Sequence, residues 1–172
     1  AHVDVRLGNA KIRQYSLTSD PSDLSRYAII VKRERDGRGG SDFIHEHFTE
    51  GTHVRVSMPR NNFKLATGRG VLIAGGIGVT PLISMGRALS QSKMLESFYF
   101  CSKTSYPSIE GELSRFCGDS LRTYFSNEPD SQRLNVASLI ENLSSDLHIY
   151  CCGPERLMSE VKHLTSDWNP DQ

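Results

Sequence analysis

Val71-Leu72-Ile73-Ala74-Gly75-Gly76-Ile77-Gly78-Val79-Thr80-Pro81-Leu82 is the stretch that decides the fold. Its first four residues are apolar without a break, the pattern of a strand buried on both faces of a parallel sheet. Glycines follow at once, and then a run that suits a helix from Thr80 to about Ser90. Pro81 fits a first helical turn, because its missing N–H would have been unpaired there. A buried strand, a glycine turn and a helix N-terminus let a backbone approach a pyrophosphate and offer it free N–H donors. No Gly-Lys-Ser/Thr follows, so the stretch is not a P-loop. It also departs from G-x-G-x-x-G, since Pro81 stands where the last glycine belongs. Taken alone, the glycines fit a tight βα turn with no ligand equally well.

The same grammar continues downstream. Ser97 to Cys101 and Leu121 to Phe125 read as further buried strands, Val136 to Leu143 as a helix, His148 to Cys151 as a fourth strand, and Pro154 to about Leu164 as a last helix. Strands alternating with helices predict a doubly wound α/β lobe with a parallel sheet over residues 67–172. Upstream, residues 1–66 are β-rich. His2 to Leu7 alternates polar and apolar, Ile12 to Leu17 is a second candidate strand, Arg26 to Lys32 a third and Thr52 to Met58 a fourth. Pro59 stops the last of these. Short antiparallel strands with turns between them predict a small barrel. Ser41 is a candidate N-cap for a short helix over the following residues.

The 172 residues carry 20 basic and 20 acidic side chains, a formal charge of zero. That balance argues against nucleic acid or an anionic membrane as a partner gripped by bulk charge. Apolar runs fall short of the ~18–20 residues of a membrane span. No basic-then-apolar leader opens the sequence, and a cytoplasmic location is expected. Cysteines 101, 117, 151 and 152 make no Cys-x-x-Cys, so a zinc ribbon or disulfide framework is not expected. The spacing of a plant-type iron–sulfur cluster is absent as well. His45-Glu46-His47 could be read as a metal pair, but no further ligands recur at a supporting spacing, and no metal is expected.

Three further segments carry chemistry. Cys151-Cys152-Gly153-Pro154 lies at the end of the last strand, where ligands of open α/β sheets bind; it also fits an ordinary helix start. Arg13 and Tyr15 share one face of a strand, with Ser16 beside them. An Arg suits bidentate phosphate binding and a Tyr ring can lie against a flat heterocycle, although a surface Arg and a half-buried Tyr would look the same. Gly39-Gly40-Ser41 is a ready anion site at a helix start, or a plain loop.

Together and in this order, RQYSL at 13–17, GRGGS at 37–41, PRNNF at 59–63, GGIGVTPL at 75–82 and CCGPE at 151–155 resemble the ferredoxin reductase superfamily. Within it the chain is similar to the phthalate dioxygenase reductase or vanillate demethylase reductase branch. The resemblance implies a flavin-binding barrel over 1–66 and an NAD(P)-binding lobe over 67–172. It implies FMN and NADH as cofactors, with FAD or NADPH as the less favoured forms. Electrons would pass to a ferredoxin-type [2Fe–2S] domain or protein and through it to a Rieske-type oxygenase. By position, Arg13 would hold the flavin phosphate, Tyr15 the isoalloxazine or ribityl face, and Ser16 the flavin N5 edge. Val31 and Lys32 would line the pyrimidine side, and Gly39, Gly40 and Ser41 would cradle the phosphate. Gly76, Gly78 and Thr80 would face the nicotinamide nucleotide, with Cys152, Gly153 and Pro154 beside its ring. Ser16 and Cys152 would flank the hydride path. Such reductases start their barrel with strands ahead of the one at Ala1–Val5, and continue past a segment like Asp167-Trp168-Asn169-Pro170 into the iron–sulfur domain. A barrel short of strands is therefore expected, with an unpaired edge. The alternative expectation is a non-catalytic docking or nucleotide-binding module that keeps the fold without a working flavin.

Overall fold

The computed structural model describes residues 1–8, 11–128 and 133–168. Asn169 and Pro170 of the C-terminal segment lie outside them. The chain divides into two compact units, Ala1–Lys64 and Leu65–Gln172.

In the first unit, β1 (His2–Arg6) pairs antiparallel with β2 (Ile12–Ser16) and with β3 (Arg55–Val56), in the order β2-β1-β3. The alternation read from the sequence is the one observed. Val3, Val5 and Leu7 turn inward and are buried, and Ile44 of helix α1 (Gly40–His47) and Leu17 complete a small core with them. Tyr15, Ile29, Val31, Phe43 and Phe48 pack at its edge.

Three expectations for this unit change. Residues 26–32 form no strand; only an isolated bridge joins Ile29 to Leu17. Ile29 and Val31 still reach the core, but Tyr27 is 54% exposed, so the apolar face is not buried as a unit. The strand expected over 52–58 shrinks to Arg55–Val56, paired with β1 only through Val5–Val56 and Arg6–Arg55. Val54, Val56 and Met58 are exposed, Met58 by 82%, and no described residue buries that face. Finally, α1 begins two residues earlier than a Ser41 cap would allow. Gly39, in the left-handed region at φ 73°, is the N-cap. The Ser41 hydroxyl instead accepts a hydrogen bond from Glu34 N at 3.0 Å, tying the preceding loop to the helix.

In the second unit, β4 (Gly70–Gly75), β5 (Leu95–Ser102), β6 (Leu121–Phe125) and β7 (His148–Cys152) form one parallel sheet in the order β6-β5-β4-β7. Helices α2 (Val79–Gln91), α3 (Pro107–Cys117), α4 (Val136–Glu141) and α5 (Glu155–Leu164) connect and follow the strands. Every residue of β4 is buried, as its unbroken apolar run requires. Val71 and Ile73 pack with Val136, Ile140, Leu147 and Val161 on one face. On the other, Gly86 brings α2 close to Leu72 and Phe98. Each fully buried Leu or Ile of such a core stabilises the fold by roughly 1.5–3 kcal/mol. Helix α3 is absent from the sequence reading, although Ile109, Leu113, Phe116 and Cys117 carry its spacing and Pro107 stands in its first turn.

The segment that opens this unit is clipped to β7. The Tyr150 hydroxyl accepts a hydrogen bond from Ala66 N at 2.8 Å, and His148 Nε2 lies 2.9 Å from the Thr67 carbonyl oxygen. The strand order places β5 and β6 on one side of β4 and β7 on the other. The crevice outside the carboxyl ends of β4 and β7 is thus the topological switch point, where open α/β sheets bind ligands.

Candidate functional site

The residues singled out from the sequence fall into two groups, one in each unit. In the first, the turn before α1 carries two successive glycines, Gly39 and Gly40. The first N–H groups of α1 have no partner within the helix. Arg13, from β2, lies across this turn. A Cβ added to Gly40 would stand 2.8 Å from Arg13 Nε and 2.9 Å from its Cγ, so only glycine admits the side chain in this position. The guanidinium donates through Nη2 to the Arg38 carbonyl at 3.3 Å and through Nη1 to that of Ile12 at 2.9 Å.

Tyr15 follows Arg13 on the same face of β2, half-buried at the edge of the core. Burial raises its phenol above the ordinary range, with the nearby Arg13 charge opposing. Strand alternation sets Ser16 on the opposite face from both. Val31 packs at the core edge and its carbonyl lies 2.9 Å from His45 Nε2 on α1. Lys32 pairs with Glu34, while Arg33 bridges Asp42 and Glu46 of α1 at 2.6 Å each. The loop of residues 31–34 is thus anchored on α1, and Arg13, Gly39, Gly40 and Ser41 come together at the start of that helix. A glycine cradle, free amides and an Arg fork are the donor set that fits a phosphate.

The second group lies at the switch point. Its decisive feature is backbone packed on backbone. A Cβ on Gly78 would stand 2.3 Å from the Cys152 carbonyl oxygen and 2.7 Å from Gly153 Cα, and one on Gly153 would stand 2.8 Å from Gly75 Cα. Gly78 and Gly153 are therefore glycines because two turns interlock. Gly76 differs: it has φ 55° and faces open space, with no atom within 4 Å of where its Cβ would be. Thr80 is 7% exposed and its hydroxyl donates to Ile77 O at 3.0 Å, closing the turn. Pro154 is the N-cap of α5 and packs on Gly75.

The adjacent cysteines separate by face. Cys151 packs among the α4 and α5 core residues, and Cys152 alternates to the other side, toward α2. Burial raises the thiol of Cys151 to about 12 and also raises that of Cys152, so both stay protonated at neutral pH. Neither is an activated nucleophile.

One feature escaped the sequence reading. β5 ends at Ser102 and Lys103-Thr104 follow, with no acidic residue among them. The fold nonetheless brings Glu128 there, accepting from Ser105 N at 2.9 Å, and Glu110, accepting from Ser105 Oγ and Tyr106 N at 2.6 and 2.7 Å. Loop-to-loop bonds from Ser126 N to Ser102 O and from Asn127 N to Lys103 O set Glu128 in place. A contact 23 residues away in sequence leaves no local pattern.

Comparison with known proteins places this geometry in context. No family model matches the chain. Individual proteins do: the vanillate O-demethylase oxidoreductase of Pseudomonas sp. (strain HR199 / DSM 7063) is 39% identical over 165 residues, 94% of this chain and 52% of that protein. The phthalate dioxygenase reductase of Burkholderia cepacia is 35% identical over 174 residues, 98% of this chain and 54% of that protein. The solved phthalate dioxygenase reductase, described as a modular structure for electron transfer from pyridine nucleotides to [2Fe–2S], superposes with a TM-score of 0.87 at 32% identity. It covers 98% of this chain and 54% of its own. Over nearly its whole length the chain is thus similar to vanillate O-demethylase oxidoreductases and phthalate dioxygenase reductases, and it shares their fold. It spans about half the length of the curated relatives it matches. Those relatives are reductase components of oxygenase systems.

Proposed function

We propose that the chain is the flavin- and nucleotide-binding portion of an oxygenase reductase. It takes hydride from NADH onto FMN and passes single electrons to a [2Fe–2S] centre that serves a Rieske-type oxygenase. The observation that carries this reading is Arg13 seated over Gly40 at the start of α1, a phosphate-binding arrangement in a chain similar to these reductases. A bound flavin accepts electrons as a pair and releases them singly, which is the chemistry the reaction needs.

The protein's own task is placement. Arg13 and the amides of Gly40 and Ser41 hold the phosphate end, and Gly39 gives the turn its left-handed entry. Tyr15 lies along the ring system, Ser16 stands at its N5 edge, and Val31 and Lys32 line its pyrimidine side. Gly76 leaves room for the pyrophosphate at the α2 N-terminus. Gly78, Gly153, Thr80 and Pro154 hold the two turns that frame the nicotinamide, and Cys152 presents a neutral thiol beside it. Hydride transfer calls for no general acid or base of unusual pKa; it calls for nicotinamide C4 at near-attack distance from the acceptor atom. Protonated thiols and turns fixed by backbone packing fit that requirement. Glu128 and Glu110 near the end of β5 favour a ribose hydroxyl over a 2′-phosphate, and so NADH over NADPH.

Extraction and mass measurement of the flavin that co-purifies with the chain tests the reading. FMN is expected. Arg13→Ala should weaken its retention by roughly 1.5–3 kcal/mol, the worth of a hydrogen bond to a charged group. FAD as the sole flavin would overturn the FMN assignment, and a protein that takes up no flavin would favour the non-catalytic docking module.

A further inference from the structure

Lys11 belongs to none of the motifs above, yet it reaches the same turn as Arg13. It precedes β2 by one residue and stands two positions from Arg13, the spacing that puts side chains on one face of an extended chain. Its ammonium lies 3.4 Å from the Arg38 carbonyl oxygen, the oxygen that Arg13 Nη2 approaches at 3.3 Å. It also stands 4.0 Å from where a Cβ on Gly39 would lie, as Arg13 lies over Gly40. Two cations are thus aimed at two successive glycines and meet on one carbonyl. Both contacts are longer than a usual N–H···O bond.

We propose that Lys11 is the second cation of the phosphate cradle and selects a terminal phosphomonoester. This rests on the flavin reading given above. A phosphomonoester near neutral pH carries close to two negative charges on three terminal oxygens. Arg13 takes two of them as a fork, and Lys11, a point charge on a flexible stem, takes the third from the Gly39 side. A phosphate diester, as in the pyrophosphate of FAD, carries one charge per phosphorus and gives up an oxygen to the next group. The pair of cations therefore discriminates FMN from FAD.

Titration of the flavin-free chain with FMN, riboflavin and FAD, followed by flavin fluorescence, tests this for Lys11→Gln, Lys11→Arg and Arg13→Gln. Far-UV circular dichroism establishes that each variant is folded. Lys11→Gln should raise the Kd for FMN about fivefold, the scale of a partly exposed ion pair. Riboflavin and FAD binding should stay as they were, and Lys11→Arg should restore most of the loss. If Lys11→Gln leaves FMN binding unchanged while Arg13→Gln weakens it selectively over riboflavin, the role of Lys11 is overturned and the cradle stands. An equal loss for FMN and riboflavin, or for FMN and FAD, also overturns it, since a charge reader cannot act alike on all three. If neither Lys11→Gln nor Arg13→Gln separates FMN from riboflavin, the phosphate cradle itself is wrong.

Discussion

Gly78 lies so close to Cys152 that a methyl group on its Cα would stand 2.3 Å from the Cys152 carbonyl oxygen. The contact locks the turn after β4 to the turn after β7, and it makes the two glycines of this motif unequal. Gly78→Ala forces backbone against backbone and should cost at least the ~1–3 kcal/mol of an overpacked site. Gly76→Ala meets no atom but must hold φ 55°, at a cost of about 1–2 kcal/mol. Urea unfolding, read by the fluorescence of Trp168 against the core of the second unit, should rank Gly78→Ala as the less stable. The reverse order would mean that the turns do not interlock as described.

The two adjacent cysteines should separate by assay. On the proposed function, Cys152→Ala is expected to slow reduction by NADH while leaving flavin affinity nearly intact, because it would alter nicotinamide placement and not the flavin site. Cys151→Ala opens space in the core beside Ile73 and Val161, so it should lower stability and leave the reduction rate nearly unchanged. Stopped-flow reduction combined with thermal melts reads both. An unchanged rate in Cys152→Ala removes that residue from the hydride path.

Buried thiols make an alkaline prediction. Burial raises Cys101 from the usual 9.0 to about 11, and Cys117 and Cys151 to about 12. In the unfolded chain these groups lose their protons near pH 9, whereas the folded chain keeps them. The folded state thus binds more protons above pH 9, and stability falls as pH rises from there toward 11–12. Below pH 9 the contribution is fully present. Urea midpoints measured between pH 8 and 11 should decline, and a flat profile would contradict the burial of these groups. At neutral pH the same shift leaves Cys101 with about a hundredfold less thiolate than an ordinary cysteine, so alkylation should be correspondingly slow.

The local sequence around β5 and the folded loop point in opposite directions for cofactor choice. Lys103 alone would suit a 2′-phosphate; Glu128, delivered from after β6, opposes one. NADH should therefore be preferred, and Glu128→Gln should narrow the preference by several-fold, the effect of removing one exposed like charge. Comparing kcat/KM for NADH and NADPH in both proteins decides it. A preference for NADPH above about tenfold, ~1.4 kcal/mol, would assign Ser102 and Lys103 to a working 2′-phosphate site.

What the sequence made legible follows the range of the forces involved. Strand β4 and helix α2 were readable because burial on two faces, or on one helical stripe, writes itself into neighbouring residues. Leu121 to Phe125 does form a strand, but β6 stands at the sheet edge and none of its residues is buried, so the expectation of a buried strand there does not hold. The pairing of Gly78 with Cys152 was not, because it joins turns far apart in the chain. Residues 52–58 misled for a related reason: alternation marks a surface that can be buried, and Val54, Val56 and Met58 find no described partner. Ser41 has the chemistry of a cap, but Gly39 can enter the left-handed region more cheaply and the serine hydroxyl serves Glu34 instead. Helix α3 was overlooked because only Leu113 and Cys117 of its apolar positions are buried, and its stripe is correspondingly thin.

The central claim is that this chain moves hydride from NADH to a flavin that it holds itself. Anaerobic titration of the FMN-loaded chain with NADH, followed by the visible absorption of the flavin, measures that directly. The account predicts complete bleaching at one equivalent of NADH per flavin, with the loss much slower in Cys152→Ala. A flavin that stays bound and oxidised under excess NADH would contradict it.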